Sequence, residues 1–246
     1  YTPKINGVPV GPDGFIPTNP GEDTKVTYTA NSAAALVRFI DNNDNSTLTD
    51  LKLEGKTDKT IDFATAKAQL NSYLDRGYKL VANGIPKKET KFDTSADTDV
   101  PSQVFVVQLD HDTVTVTQEN PVTPGSKINP KDPDPDSPTY TSDQAKVTED
   151  HTLTVYYVGA PNNPADKQQK SHWTREVTID KVTGKTLSST DWATTDSYVK
   201  VDTPEIAGYT PDAKVVVKPT VRKDQEVTVT YTANSAAALV RFIDNN

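Results

Sequence analysis

The sequence predicts an α+β, β-rich protein built of two tandem domains in an elongated arrangement, and three observations carry that expectation. Threonine fills 35 of the 246 positions and alternates with valine or tyrosine in runs such as Val114–Thr117, Thr152–Tyr156 and Val227–Tyr231. Period-two alternation of β-branched residues is the mark of half-exposed strands. Residues 26–43, VTYTANSAAALVRFIDNN, recur letter for letter at residues 229–246, 203 residues later. A period far above the roughly 20–50 residues of a solenoid implies units that each fold on their own. The apolar share, with Gly counted and Tyr left out, is about 35%, below the roughly 45–50% of an average globular domain. Thin cores and much surface follow, which suits small modules better than one thick core.

The repeat divides the chain. Residues 1–32 read as the tail of a preceding repeat with its junction, 33–119 as a first domain and 120–146 as a linker. Residues 147–233 read as a second domain and 234–246 as the first strand of the next repeat. The linker expectation rests on six prolines between Pro121 and Pro138, interleaved with Asp132, Asp134 and Asp136. Proline cannot donate to a β-ladder and favours extended, semi-rigid chain.

In the first domain, Ala33–Ile40 and Leu48–Leu53 read as strands around the turn Asp41–Ser46. A helix follows, with Asp62 suited to its N-cap and Phe63, Ala66, Leu70 and Leu74 on one face; Gly77 suits the left-handed residue past its end. Tyr78–Val81 and Val104–Asp110 supply further strands. Hairpin, helix, then strands is the order of a β-grasp (ubiquitin-like) domain. In that topology the helix carries the chain to a last strand parallel to the first, leaving Leu48–Leu53 at the sheet edge. Thr49, Leu51, Lys52, Leu53 and Glu54 are therefore candidates for binding an extended partner strand. Lys52 and Glu54 are also charges of the kind that guard an edge against strand addition. In the second domain, Thr152–Val158, Trp173–Ile179, Leu187–Trp192 and Glu226–Tyr231 read as strands. Asp180–Lys185 is a glycine-containing hairpin turn, and no helix is expected in this half.

Several chemistries are excluded or disfavoured by composition. The chain has no Cys and no Met, so disulfides, zinc–thiolate sites and thiol nucleophiles are absent. Its net charge of −8 leaves no basic face for nucleic acid, and no stretch approaches the roughly 20 apolar residues of a membrane-spanning helix. His111, His151 and His172 are too scattered in sequence to define a metal cage. Asp41–Asn45 resembles a calcium loop in its alternating oxygens, yet Ser46 and Lys52 replace the required Gly and Glu, which favours an Asx-rich turn. Asp132, Asp134 and Asp136 form a second acidic run, read as solvated linker. No G-x-S-x-G, H-E-x-x-H or phosphate-cradling glycine loop occurs. No catalytic residue, cofactor or metal ligand is therefore expected. Trp173, Trp192, Tyr198 and Tyr209 are candidates for stacking on sugar rings, set against the ordinary use of aromatics as anchors of a thin core.

The second half resembles the MucBP-type domain of lactobacillal mucus-binding adhesins, through Leu153–Tyr157, Thr174–Gly184, Trp192, Pro204–Pro211 and Val227–Tyr231. The first half, through Val37–Asp41, Leu70–Leu74, Gly77–Val81 and Phe92–Asp93, resembles the N-terminal module of the same Mub-type repeat. The resemblance implies paired β-grasp-like domains in a cell-wall-anchored surface adhesin of a Gram-positive gut bacterium. It implies mucin glycans or glycoproteins as partners, with immunoglobulins as a further class, and a monomer within a tandem array. A stalk that displays a distal adhesin is the alternative role.

Overall fold

A computed structural model describes residues 1–17, 19, 21–94 and 98–244. Asn245 and Asn246, the last residues of the expected 234–246 strand, lie outside the described residues. The fold is β-rich with few helices, and the chain divides into two compact units. Unit 1 comprises Tyr1–Val114, Gly125–Tyr140 and Ile179–Lys185; unit 2 comprises Thr115–Pro124, Thr141–Thr178 and Thr186–Asn246.

Unit 1 opens with β1 (Thr2–Ile5), β2 (Val8–Pro9) and β3 (Val26–Thr29), which form a small sheet of order β2-β1-β3. Its main sheet holds β4 (Ser32–Asp41), β5 (Ser46–Lys56), β6 (Tyr78–Asn83) and β7 (Val104–His111), in the order β5-β4-β7-β6. Strand β4 pairs antiparallel with β5 and parallel with β7. The crossover between them includes helix α1 (Ala64–Asp75). Alternation along β4 sends Ala33, Ala35, Val37 and Phe39 into the core, where they meet Ala66, Leu70 and Tyr73 of α1 and Val107 and Leu109 of β7. Fully burying a residue such as Phe39 or Leu109 stabilises the unit by about 1.5–3 kcal/mol.

The helix departs from the expected face at one position. Leu74 is exposed and Tyr73 buried in its place. The Tyr73 ring packs edge-on against Tyr78, and its hydroxyl meets Thr49 Oγ1 at 2.7 Å. The helix starts at Ala64 rather than Phe63; Asp62 still serves the entry, its Oδ1 accepting from the Ala64 amide at 2.9 Å. Gly77 follows at φ +100°, and a Cβ there would stand 2.9 Å from that of Lys181. Both the backbone sign and the close approach require glycine.

The expected linker is corrected by the structure. Residues 125–140 belong to unit 1 and are packed, with Ile128 and Tyr140 buried. The amide of Gly125 donates to Tyr140, that of Tyr140 to Ser126 and that of Ile128 to Pro138, at 2.8–3.0 Å. Lys127 Nζ donates to the carbonyls of Asp132 at 2.9 Å and Asp134 at 2.6 Å, inside the bend that closes this ladder. Asp132 Oδ1 accepts from the Asp134 amide and Asp134 Oδ1 from the Asp136 amide. These successive Asx turns satisfy the backbone where proline cannot, so the Asp-Pro alternation builds a folded loop. Residues 141–146 open unit 2 with a single turn, α2 (Ser142–Ala145), where no helix was expected. Thr141 and Gln144 cap it reciprocally.

After β8 (Thr113–Val116), the strands are β9 (Thr148–Val158), β10 (Lys167–Thr174), β11 (Val177–Asp180), β12 (Thr186–Ser189) and β13 (Val201–Asp202). Then come β14 (Tyr209–Pro211), β15 (Val215–Val216) and β16 (Gln225–Ala233). The main sheet of unit 2 has the order β10-β9-β16-β14, with β16 parallel to β9. Val155, Tyr157, Val201, Val216, Val229 and Tyr231 make its core. The expected strand Trp173–Ile179 is interrupted at Arg175 and Glu176, where the Arg175 side chain donates to the carbonyls of Lys146 and Asp143. The expected strand Leu187–Trp192 stops at Ser189, where Thr190 turns to serve Glu176 through both its amide and its hydroxyl.

Candidate functional site

The four aromatics singled out in unit 2 occupy three settings. Strand β10 points the buried Ser171 hydroxyl toward two of them. It accepts from Trp173 Nε1 at 3.0 Å and meets the Tyr198 hydroxyl at 3.1 Å, which donates on to the His151 carbonyl at 3.4 Å. Trp192 stands apart from that cluster, with the guanidinium carbons of Arg175 and Arg222 at 5.0 and 5.2 Å from its ring centre. Its π-surface is already engaged by cations. Tyr209 packs half-buried against the core around Tyr157 and Tyr231.

Both arginines beside Trp192 are held by carboxylates. Arg175 reaches Asp143 at 2.9 Å and Arg222 reaches Glu149 at 3.0 Å. Glu149 gathers three basic groups, with Lys146 at 3.0 Å and His151 at 3.1 Å beside Arg222. Burial pushes its carboxyl up, but the hydrogen bonds of His151 and Lys146 and the charge of Arg222 override this and bring its pKa to about 2.

Next to these aromatics a surface pocket of about 330 Å³ is lined by Gln118, His172, Thr174, Ala193, Thr194, Thr195 and Asp196. Two of these residues, Thr174 and Ala193, are joined by an antiparallel bridge. Asp196 Oδ2 accepts from the His172 amide at 2.5 Å, and Thr194 Oγ1 accepts from the Asp196 amide at 3.0 Å. Hydroxyls, the Gln118 amide, the His172 imidazole and the Asp196 carboxylate line the space, with one methyl from Ala193. Such a surface presents donors and acceptors at close spacing.

In unit 1 the candidate strand β5 pairs with β4 alone, so among the described residues its outer edge has no strand partner. Leu51 and Leu53 turn toward the core, Thr49 holds Tyr73, and Lys52 and Glu54 pair with each other at 3.0 Å on the open face. The acidic turn after β4 is bound up internally. Asp41 Oδ1 accepts from the amide and side chain of Asn43 at 2.8 Å, and its other oxygen faces His111.

Family comparison assigns this architecture. The Mucin binding domain family matches residues 33–111, and the Muc B2-like domain family matches residues 142–235. The chain is a mucus-binding protein repeat. Among solved structures, the repeat is similar to Mub-RV at 25% identity, over 82% of this chain and 100% of that one, with a TM-score of 0.56. It is also similar to the type 2 repeat of the mucus binding protein MUB from Lactobacillus reuteri, at 27% identity, 82% and 100% coverage and a TM-score of 0.49. The MucBP domain of an adhesion protein from Pediococcus pentosaceus matches at 35% identity, over 35% of this chain and 100% of that one, with a TM-score of 0.31. No curated protein matches the repeat by sequence.

One cluster in the repeat escaped sequence reasoning because its members lie some 70 residues apart. His111 Nδ1 is 2.7 Å from Asp180 Oδ2, and its Nε2 is 2.9 Å from Asp41 Oδ2. Only the protonated ring donates to both. Burial opposes that charge, but the two carboxylates outweigh it and raise the His111 pKa. Burial likewise pushes the Asp180 carboxyl up, yet His111 and the amides of Thr183 and Val182 bring it below the usual range. The pocket residues escaped too; their only sequence signal is the polar run Thr194-Thr195-Asp196 after Trp192.

Proposed function

We propose that this chain is a surface-adhesin repeat that binds mucin glycans, with the Thr174–Asp196 pocket of unit 2 as the contact site. The observation that carries the reading is the joint presence of both mucus-binding families on one chain with a sugar-sized, hydroxyl-lined pocket. Hydrogen bonding through the threonine hydroxyls and the Gln118 amide suits a protein of net charge −8, which repels the sialate and sulfate of mucin at neutral pH. The families are adhesin modules, and the reading requires no catalysis and no cofactor. It places the repeat outside the cell, on a Gram-positive surface, anchored through sequence elsewhere. The parallel β4–β7 pair with α1 in its crossover supports reading unit 1 as a β-grasp domain.

The test is binding of the chain to intact and to deglycosylated mucin, with Thr195→Val and Gln118→Ala as pocket variants. Binding to intact mucin alone, weakened at least about tenfold by the paired variants, supports the reading; equal binding by wild type and variants removes the pocket. Binding should also strengthen below the pI near 4.9, where the net charge changes sign. The free edge of β5 supports a second reading, in which Thr49, Lys52 and Glu54 receive an extended strand of an immunoglobulin. Its test is Leu51→Pro against antibody fragments, with folding followed separately. Silence toward mucin and antibody alike would leave the role of a stalk.

A further inference from the structure

The repeated eighteen residues occur in two settings whose burial is reversed along their length. In the first copy, Val37 and Phe39 of β4 are each 0% exposed; their counterparts Val240 and Phe242 are 72% and 93% exposed. At the other end, Val229 and Tyr231 of β16 are 0% and 2% exposed, whereas Val26 and Tyr28 of β3 are 44% and 68% exposed. Each copy is therefore half buried, and the buried halves are complementary. The second copy pairs with β9 and β14 through its first half, the first copy with β5 and β7 through its second half.

The antiparallel partners of the two copies match in register as well. Thr2 faces Thr29 and Pro3 faces Tyr28 in unit 1; Thr210 faces Thr232 and Pro211 faces Tyr231 in unit 2. Thr2 Oγ1 donates to Asn31 Oδ1 at 2.7 Å, and Thr210 Oγ1 donates to Asn234 Oδ1 at 2.6 Å. Since Asn31 and Asn234 occupy the same place in the repeat, β1 and β3 reproduce the edge of a unit 2 sheet. That register also aligns Tyr1 with Tyr209. In unit 1 this edge is joined to the main sheet. The Asn31 carbonyl accepts from the Thr57 amide at 3.0 Å, and the Tyr1 hydroxyl donates to Asp58 at 2.8 Å.

We propose that the end of unit 2 formed by Tyr209, Thr210, Asn234 and residues 235–244 is the docking surface for a further copy of the β4–β7 sheet and its helix, continuing the same chain. Residues 235–244 become the central strand of that copy, between its β5- and β7-type strands. Tyr209 and Asn234 make with its β5 end the contacts that Tyr1 and Asn31 make with Asp58 and Thr57. Only Ala30 and Asn31 separate β3 from β4, so the junction contains no flexible linker. The occupant is fixed by sequence identity: the exposed Val240 and Phe242 match the Val37 and Phe39 that β4 buries against unit 1 strands, and the exposed Leu239 and Ile243 match Leu36 and Ile40, which it half-buries.

The test compares the 246-residue chain with a longer chain in which residues 44–233 follow Asn246 and complete one more period. Amides 236–243 are expected to exchange at least about 100-fold more slowly in the longer chain, approaching those of residues 33–40. Within the longer chain, Phe242→Asp should abolish that protection while residues 33–40 stay protected, and Tyr209→Phe should raise exchange at the amide equivalent to Thr57. Unchanged exchange of 236–243 on extension overturns the proposal. So does protection that appears in the 246-residue chain only on concentration, since the segment then pairs with another molecule.

Discussion

Unit 1 places one base between two acids, and unit 2 places one acid among three bases. His111 sits between Asp41 and Asp180 at 2.9 and 2.7 Å; Glu149 sits among Lys146, His151 and Arg222 at 3.0–3.1 Å. Tyr78 packs edge-on to His111 at 5.2 Å, and the Asp44 carboxylate adds to the negative field around it. The contrast teaches that an acidic chain can stabilise its two halves against opposite excursions of pH. For His111 the folded pKa is raised, so its contribution is complete below about 6.5 and is lost as pH rises through the folded value. For Glu149 the folded pKa is depressed, so its contribution is complete above about 4.5 and is lost as pH falls toward about 2. Asp180 adds an acid-side loss to unit 1 as pH falls below the ordinary carboxylate range.

The harshest way to break the comparison is His111→Leu, which leaves two buried carboxylates facing each other with no cation. Unit 1 should lose about 3–5 kcal/mol, read as faster exchange of the Val107 and Leu109 amides while β9 and β16 keep theirs. Glu149→Gln should cost unit 2 about 1.5–3 kcal/mol through weakened charged hydrogen bonds, with α1 and β4 unaffected. A milder variant, His111→Gln, keeps hydrogen-bonding capacity and removes the titration. Wild-type unit 1 should be less stable at pH 9 than at pH 5.5 and unit 2 nearly indifferent over that window, and His111→Gln should flatten the unit 1 profile. A slope that survives the variant would assign the effect to another group. Trp192→Leu should cost about 1–2 kcal/mol by freeing the two guanidiniums from the ring. Smallest of all, Lys52→Ala removes an exposed pair and should change stability by less than about 0.5 kcal/mol.

What could be read from sequence follows the range over which each signal acts. The alternation of β4, the Phe63–Ala66–Leu70 spacing and Gly77 are local, and the structure places β4, α1 and the left-handed turn within a residue or two of expectation. Residues 125–140 were misread because proline density describes only what the backbone lacks. Their fold depends on Lys127 and on turns made by each Asp with a residue two positions on, which composition does not reveal. Leu74 and Tyr73 exchanged roles because Tyr73 found partners in Thr49 of β5 and Tyr78 of β6. The pocket and the His111 cluster each join distant segments, so no window along the chain contains them.

The strand order of each sheet has a mechanical consequence. Strand β4 enters the main sheet of unit 1 and β7 is the last to leave it; β9 and β16 stand in the same relation in unit 2. In each case entry and exit strands are parallel neighbours, paired over six residues. Tension that enters at the start of one strand and leaves at the end of the other slides the two past each other along their length. All the hydrogen bonds between them then resist together and must rupture nearly at once, whereas an antiparallel hairpin pulled from its open end unzips one pair at a time. A chain of such units would resist stretching at every bead.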